Sequence, residues 1–404
     1  MMIESLNAQS LGWGRAENNI RALSGYAATR KAEIGRKKVF DFSIGSPSVA
    51  PPACVGEAFR SVLAETDAVE LHAYTPAPGL PSLRKAIARQ LCERSAAPFD
   101  WRQVYVTMGA SAGLASFCRA VLLPGEKAVA LAPYFMEYRV FAEAAGGTLL
   151  TVPPLGNMQP DLRALEGLLD DTVKLVIVNS PNNPSGVALT EQSLRGLSAL
   201  LTEAARKAGH PIYLLSDEPY RELLFDGRKP LCAADYYDDT VICYSYSKSL
   251  SLPGERVGYL AVSGRAQDPG AVFDAIAGAA RACGYINAPS LIQRVVERCL
   301  DATADLTVYE ENRDLLYRGL RELGYDCVYP DGAFYLFVKC PVPDAVAFSE
   351  RAKRHELILV PSDDFGVEGY VRIAYCVPRD MIERAMPAFA ALAAEYGLRA
   401  AEDK

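Results

Sequence analysis

Between residues 103 and 262 the chain repeats one pattern: a short apolar run, then a polar or helix-compatible stretch. The runs are Gln103–Thr107, Ala128–Ala132, Gly147–Val152, Lys174–Val178, Pro211–Leu215, Val241–Tyr244 and Val257–Val262. Each has the length of a strand, and near-continuous apolar character marks strands covered on both faces. Stretches between them, such as Ala112–Val121 and Glu191–Ala208, are long enough for helices. This alternation specifies an α/β domain built on a mostly parallel, seven-stranded sheet. Ligands of such sheets gather at the carboxyl ends of the strands. The polar residues that follow each run are therefore the first candidates for function.

The flanks read differently. Val39–Ile44 alternates and ends in Gly45-Ser46-Pro47, a strand leading into a turn. After residue 263 the strand pattern stops. Leu291–Leu323 reads as long amphipathic helix, with a break left open. Gly332–Val338, His355–Val360 and Gly369–Tyr375 read as short strands, and residues 378–396 as a closing helix. The expected division is an N-terminal arm and part of a small domain over 1–45, a large domain over 46–290, and a small α+β domain completed by 291–404.

With 404 residues, 50% hydrophobic and 23% charged, the chain can bury a sizeable core and form two domains. A net charge of −7 argues against nucleic acid and gives no membrane-surface signal. The N-terminus lacks a basic stretch before an apolar core, so no secretory signal is visible, and no apolar run has membrane-spanning length. Ten cysteines stand singly, without C-x-x-C spacing, which reads as free thiols in a reducing cytoplasm. Three histidines without a ligand pattern give no metal site and no histidine-based triad.

The run Val241–Tyr244 leads into Ser245-Tyr246-Ser247-Lys248, and Pro253-Gly254-Glu255-Arg256-Val257-Gly258-Tyr259 follows. A lysine leaving a buried strand, with hydroxyls one and three residues before it, is poorly placed for a solvated surface. Arg256, between two glycines, can approach something bulky. One amine and one guanidinium fork suit a ligand with an aldehyde and a phosphate, as pyridoxal 5′-phosphate (PLP) has. A surface lysine in a serine-rich turn accounts for the spacing equally well. Gly109-Ala110-Ser111-Ala112-Gly113 joins the first run to its helix, where exposed N–H groups and a hydroxyl suit a phosphate or merely cap the helix. Asp217 directly follows a buried run and needs a partner, for which a protonated pyridine nitrogen and a helix cap are both suitable. Arg372 lies inside an alternating apolar run, where a bidentate fork fits a carboxylate.

Taken together, S-x-S-K followed by P-G-x-R-x-G-Y resembles the cofactor-lysine signature of the class I/II aminotransferases, fold type I PLP enzymes. Further motifs recur in family order from about Gly45 to Arg372. The resemblance implies an enzyme that moves an amino group between an L-amino acid and a 2-oxo acid. Lys248 would hold PLP as a Schiff base and act as general acid/base, Asp217 would face the ring nitrogen, and Tyr220 and Asn183 the phenolic oxygen. Gly109, Ala110, Ser111 and Arg256 would bind the phosphate side, Ser245 would also line the cofactor site, and Phe135 would stack on the ring, with Tyr134 and Tyr138 as wall or packing. Tyr74 would reach the phosphate of a neighbouring subunit in a homodimer. Gly45, Asn183 and Arg372 would hold the substrate, Arg372 through its α-carboxylate.

Two departures stand out. Ser180 replaces the first Asn of the family's N-P-x-N-P-[ST]-G, and Pro361-Ser362 replaces its Pro-Gly before the arginine strand. A carbon–sulfur β-lyase on the same scaffold remains open, because it would use the same lysine. A non-catalytic PLP-binding effector module is remote, since roughly forty residues before Gly45 leave no room for a DNA-binding domain. The side chain of the amino-acid substrate is not legible.

Overall fold

The computed structural model describes residues 6–16 and 19–399; the start of the expected N-terminal arm, Met1–Ser5, lies outside them. Two compact units emerge: Ser46–Glu310 with Pro330–Ala333, and Met1–Gly45 with Glu311–Tyr329 and Phe334–Lys404. The larger unit thus runs past the expected boundary at 290. Helix Ser290–Glu297 belongs to it because Ile292, Val295 and Val296 join the core formed with helices Ala53–Glu65 and Pro81–Arg94.

In the larger unit the seven runs form one sheet. Its strands are β1 (Val104–Thr107), β2 (Lys127–Leu131), β3 (Thr148–Val152), β4 (Val173–Asn179), β5 (Tyr213–Asp217), β6 (Thr240–Ser245) and β7 (Gly258–Val262). Their order is β1-β7-β6-β5-β4-β2-β3. Only β7 is reversed, running antiparallel to both β1 and β6. Helices Pro81–Arg94, Glu191–Ala208 and Ser290–Glu297 cover the face that carries Val176, Leu214, Ile242 and Tyr244. Helix Ala110–Val121 covers the other face, where Cys243 and Leu260 meet Gly113. Local signals agree with these elements. The Thr190 hydroxyl accepts the Ser193 N–H at 3.1 Å, Leu194, Leu197 and Leu201 form the buried stripe, and Gly209 (φ 73°) ends the helix.

The reversal of β7 has a positional consequence. Its first residue, Gly258, pairs with Thr107 at the end of β1 and with Ser245 at the end of β6. The chain therefore returns to the edge where the parallel strands finish, and Arg256 is delivered there.

The smaller unit holds a four-stranded antiparallel sheet of β8 (Asp326–Val328), β9 (Tyr335–Lys339), β10 (Val360–Pro361) and β11 (Tyr370–Ala374), ordered β10-β11-β9-β8. Strand β8 was not expected. The run 355–360 is not one strand: Leu357–Ile358 pairs in parallel with Phe40–Asp41, while Val360–Pro361 joins the sheet. The expected helix over 291–323 is two helices, Ser290–Glu297 and Thr307–Glu322, the second started by the Asp305 carboxylate, which accepts the Thr307 N–H at 3.1 Å. Helix Arg379–Glu395 closes the unit, Phe389 packing against Phe42 with ring centroids 5.8 Å apart. All ten cysteines are free. Among the described residues no helix is long and apolar enough to cross a membrane.

Candidate active site

At the carboxyl edge of the large sheet, Gly109 caps helix Ala110–Val121 in a left-handed conformation (φ 78°). Arg256 reaches it from the start of β7: its Nη1 donates to the Pro253 carbonyl at 2.8 Å and its Nη2 to the Met108 carbonyl at 3.4 Å. A Cβ on residue 109 would lie 2.5 Å from Arg256 Nη2. The positive φ favours glycine, a side chain would also push Arg256 aside, and the guanidinium lies close to the N-terminus of a helix whose N–H groups have no side-chain cap. Exposed Ser111 stands in the first turn. A positive fork, unbonded amides and a hydroxyl make an anion cradle suited to a phosphate. Ser245, the last residue of β6, caps the next turn; its Oγ lies 2.8 Å from Ser247 Oγ.

Asp217 ends β5 and is 4% exposed. The Tyr138 hydroxyl donates to its Oδ2 at 2.6 Å, whereas its Oδ1 is buried without a partner. Burial pushes this carboxyl up to about 7; the Tyr138 hydrogen bond opposes the rise and Glu218 adds to it. Tyr138 itself stays protonated, because burial raises its phenol well above the ordinary range. The bare Oδ1 calls for a donor, and the protonated nitrogen of a pyridine ring would be one of opposite charge. Tyr138, expected as packing, is thus a polar partner of the site. Its signal was weak: a tyrosine one helical turn after Phe135, in a helix too short to announce its buried face.

Asn179, at the end of β4, is a second residue missed. Its Nδ2 donates to the Asp217 carbonyl at 2.8 Å and its Oδ1 accepts the Asn183 N–H at 2.7 Å. Register pairs Asn179 directly with Asp217. The following loop is closed from within. Asn182 Nδ2 donates to the Pro133 carbonyl at 2.9 Å, and its Oδ1 accepts from Ser185. Ser180 Oγ, at the departure from the family pattern, accepts the Leu189 N–H at 2.9 Å. Asn183 is consequently held, buried, against Asn179, which in turn is bonded to Asp217.

Lys248 sits in the helical turn Tyr246–Ser249 that follows β6, one strand over from Asp217. Its Nζ lies 5.9 Å from the ring centroid of buried Tyr220. Phe135 is half-buried and meets Tyr138 edge-on at 5.7 Å, while Tyr134 is buried and accepts from Arg139 at 3.2 Å. Tyr74 is placed apart: its side chain is 94% exposed. The loop that bears it is nevertheless fixed, because the Thr75 carbonyl accepts from Asn287 Nδ2 at 2.6 Å.

In the smaller unit Arg372 is central in β11 and 2% exposed. Its Nη2 donates to the Ser43 carbonyl at 2.6 Å, and its guanidinium lies 4.6 Å from the Tyr335 ring and 5.3 Å from the Phe365 ring. Gly45 belongs to the same cluster, since a Cβ there would lie 1.9 Å from the Tyr335 hydroxyl. Ser362 adopts an ordinary right-handed conformation (φ −85°) and its Oγ accepts the Tyr370 N–H at 3.0 Å, so no glycine is required after Pro361.

An anion cradle at the end of β1, a bare buried carboxylate oxygen at the end of β5 and a lysine just after β6 suit a PLP-dependent enzyme of the aspartate aminotransferase fold. The family model for aminotransferase class I and II matches residues 37–389, and the chain belongs to that family. It is 29% identical over 375 residues to a probable aspartate/prephenate aminotransferase of Thermus aquaticus, covering 89% of this chain and 94% of the relative. It is 31% identical over 365 residues to an aspartate aminotransferase of Thermotoga maritima, covering 89% and 93%. A crystal structure of an aminotransferase from Eubacterium rectale superposes with a TM-score of 0.95 at 44% identity, over 97% of this chain and 99% of that one. The cofactor is PLP and the reaction is transamination between an amino acid and a 2-oxo acid; β-elimination is not favoured.

Proposed function

We propose that Lys248 carries the cofactor and that Asp217, Tyr220, Asn183 and Arg372 divide the remaining work of transamination. When bound, PLP supplies an aldehyde for the substrate amine and a pyridinium ring that withdraws electrons from the substrate Cα. Lys248 would be the residue that holds the aldehyde, and once displaced by the substrate amine its Nζ would serve as the general acid/base for the proton on the substrate Cα. Asp217 Oδ1 would accept a hydrogen bond from the ring N–H, and its negative charge would keep that nitrogen protonated and the ring cationic. Arg256, Ser111 and the N–H groups after Gly109 would hold the phosphate, Ser245 would line the cofactor site, Phe135 would cover the ring, and Tyr220 and Asn183 would hydrogen-bond its phenolic oxygen. Arg372 grips the substrate α-carboxylate beside the Gly45 backbone.

The single observation that carries this reading is the buried, unpartnered Oδ1 of Asp217, one strand over from the turn of Lys248. Ten free thiols suit a reducing cytoplasm, and exposed Tyr74 suits a homodimer that shares its phosphate site. Borohydride reduction of the PLP-loaded protein followed by peptide mapping tests the assignment. The adduct is expected on Lys248, and one on Lys174 or Lys339 overturns it. A panel of amino-acid donors with 2-oxoglutarate should form glutamate. Pyruvate released from cystathionine with no oxo acid added would point instead to the lyase.

A further inference from the structure

A second buried ionic cluster lies behind Asp217, and the roles above make no use of it. Asp217 and Glu218 are successive residues, so their side chains leave the strand on opposite faces. Glu218 is 4% exposed and Arg221 6%. Arg221 Nε donates to Glu218 Oε2 at 2.6 Å, and Ser216 Oγ donates to Glu218 Oε1 at 2.7 Å. The Glu218 N–H donates to the Cys243 carbonyl at 2.8 Å, which ties the pair to β6.

From Arg221 the cluster extends toward Lys248. Arg221 Nη1 donates to the Tyr259 hydroxyl at 3.1 Å, and the guanidinium lies 4.4 Å from the Tyr244 ring centroid. The Tyr244 hydroxyl is 2.8 Å from Glu222 Oε2 and 2.7 Å from Ser249 Oγ, so it can donate to the carboxylate and accept from the serine. Ser249 is the neighbour of Lys248. Arg94 meets Glu222 at 3.0 Å, so two acids and two arginines sum to zero charge. Tyr138 and Cys243, which face Asp217 from the other side, are kept neutral by burial.

A buried ion pair is at best near break-even in stability against apolar side chains of similar size. Its placement supplies a better reason. We propose that the Glu218–Arg221 pair is a charge-balanced support for the cofactor site, holding the field at Asp217 and Lys248 and, through Tyr244 and Ser249, the turn that carries the lysine. This rests on the reading of Asp217 and Lys248 given above, and both members are positioning residues.

The test uses the PLP-loaded protein and the pH midpoint at which its Lys248-linked chromophore loses a proton, read in the visible spectrum. Glu218→Gln keeps the size of the side chain but removes a negative charge, so the midpoint should fall. Arg221→Met removes the positive charge and should raise it. One uncompensated charge roughly 10 Å away, at an effective dielectric constant of about 20, shifts a midpoint by about one pH unit. The double variant should return close to the parent. Packing alone predicts lower melting temperatures with no shift, or shifts of one sign in both variants, and either result overturns the proposal. If Arg221→Met does not fold, the isosteric Glu218→Gln decides: an unmoved midpoint refutes the support role. Absence of any visible band in the parent protein would instead defeat the assignment of Lys248.

Discussion

The Tyr138 hydroxyl donates to Asp217 Oδ2 at 2.6 Å and leaves Oδ1 buried without a partner. One oxygen is thereby spent on holding the carboxylate, and the other is the one proposed to face the cofactor. Hydrogen bonds to charged groups contribute about 1.5–3 kcal/mol. Tyr138→Phe should slow turnover by about 10- to 150-fold while leaving PLP bound. The apoprotein carries a second signature. Asp217 has its carboxyl raised to about 7 in the folded state, so the stabilisation it contributes is complete below about pH 4 and is lost as pH rises through about 7. Tyr138→Phe removes the influence that lowers the carboxyl and moves this loss to higher pH; Asp217→Asn abolishes it. Urea unfolding of the apoproteins between pH 4 and 8 measures both, and equal slopes in parent and Asp217→Asn would refute the assignment.

Gly109→Ala should damage the phosphate cradle selectively. The new Cβ would meet Arg256 Nη2 at 2.5 Å, and the positive φ strains any L side chain by on the order of 1–3 kcal/mol. Affinity for PLP, followed by absorbance titration, should fall by about tenfold or more while the far-ultraviolet circular dichroism is retained. Unchanged affinity would show that Arg256 moves aside and that the cradle is not built as described.

Arg372, proposed to hold the substrate α-carboxylate, should separate substrate recognition from cofactor chemistry. Loss of one partner of a buried charge pair costs about 2–5 kcal/mol, roughly 30- to several-thousand-fold in affinity. Arg372→Lys keeps the charge but not the fork, and it also leaves the Ser43 carbonyl without its planar donor. kcat/KM should drop for every α-amino acid tried, with little change in the visible spectrum of bound PLP. Loss of PLP as the main effect would contradict the carboxylate role.

Tyr74 gives the prediction about assembly. A phenol that is 94% exposed on a loop anchored by Asn287 is available to a second copy of the chain. Mixing Tyr74→Phe with inactive Lys248→Ala and allowing exchange should restore activity through hybrids that hold one intact site. A fully active monomer, sized by light scattering at assay concentrations, would rule the sharing out.

The sequence by itself determined the sheet, most of the residues at its edge, and the family. Seven apolar runs of strand length became seven strands because a parallel sheet buries both faces, and that demand is written in consecutive residues. The places of Lys248, Asp217, Asn183 and Arg256 at the sheet edge were legible because each lies at or close to a strand end. Tertiary structure alone decided the rest. Reversal of β7 brings Arg256 against Gly109, and nothing in either segment announces the other. Tyr138 and Asn179 acquired roles only when β4, β5 and helix Glu137–Ala144 came together, since a hydrogen bond between residues far apart in sequence leaves no local periodicity. The helix Ser290–Glu297 joined the large unit for the same reason: an amphipathic stripe shows that a face is buried, but only the assembled core shows against what.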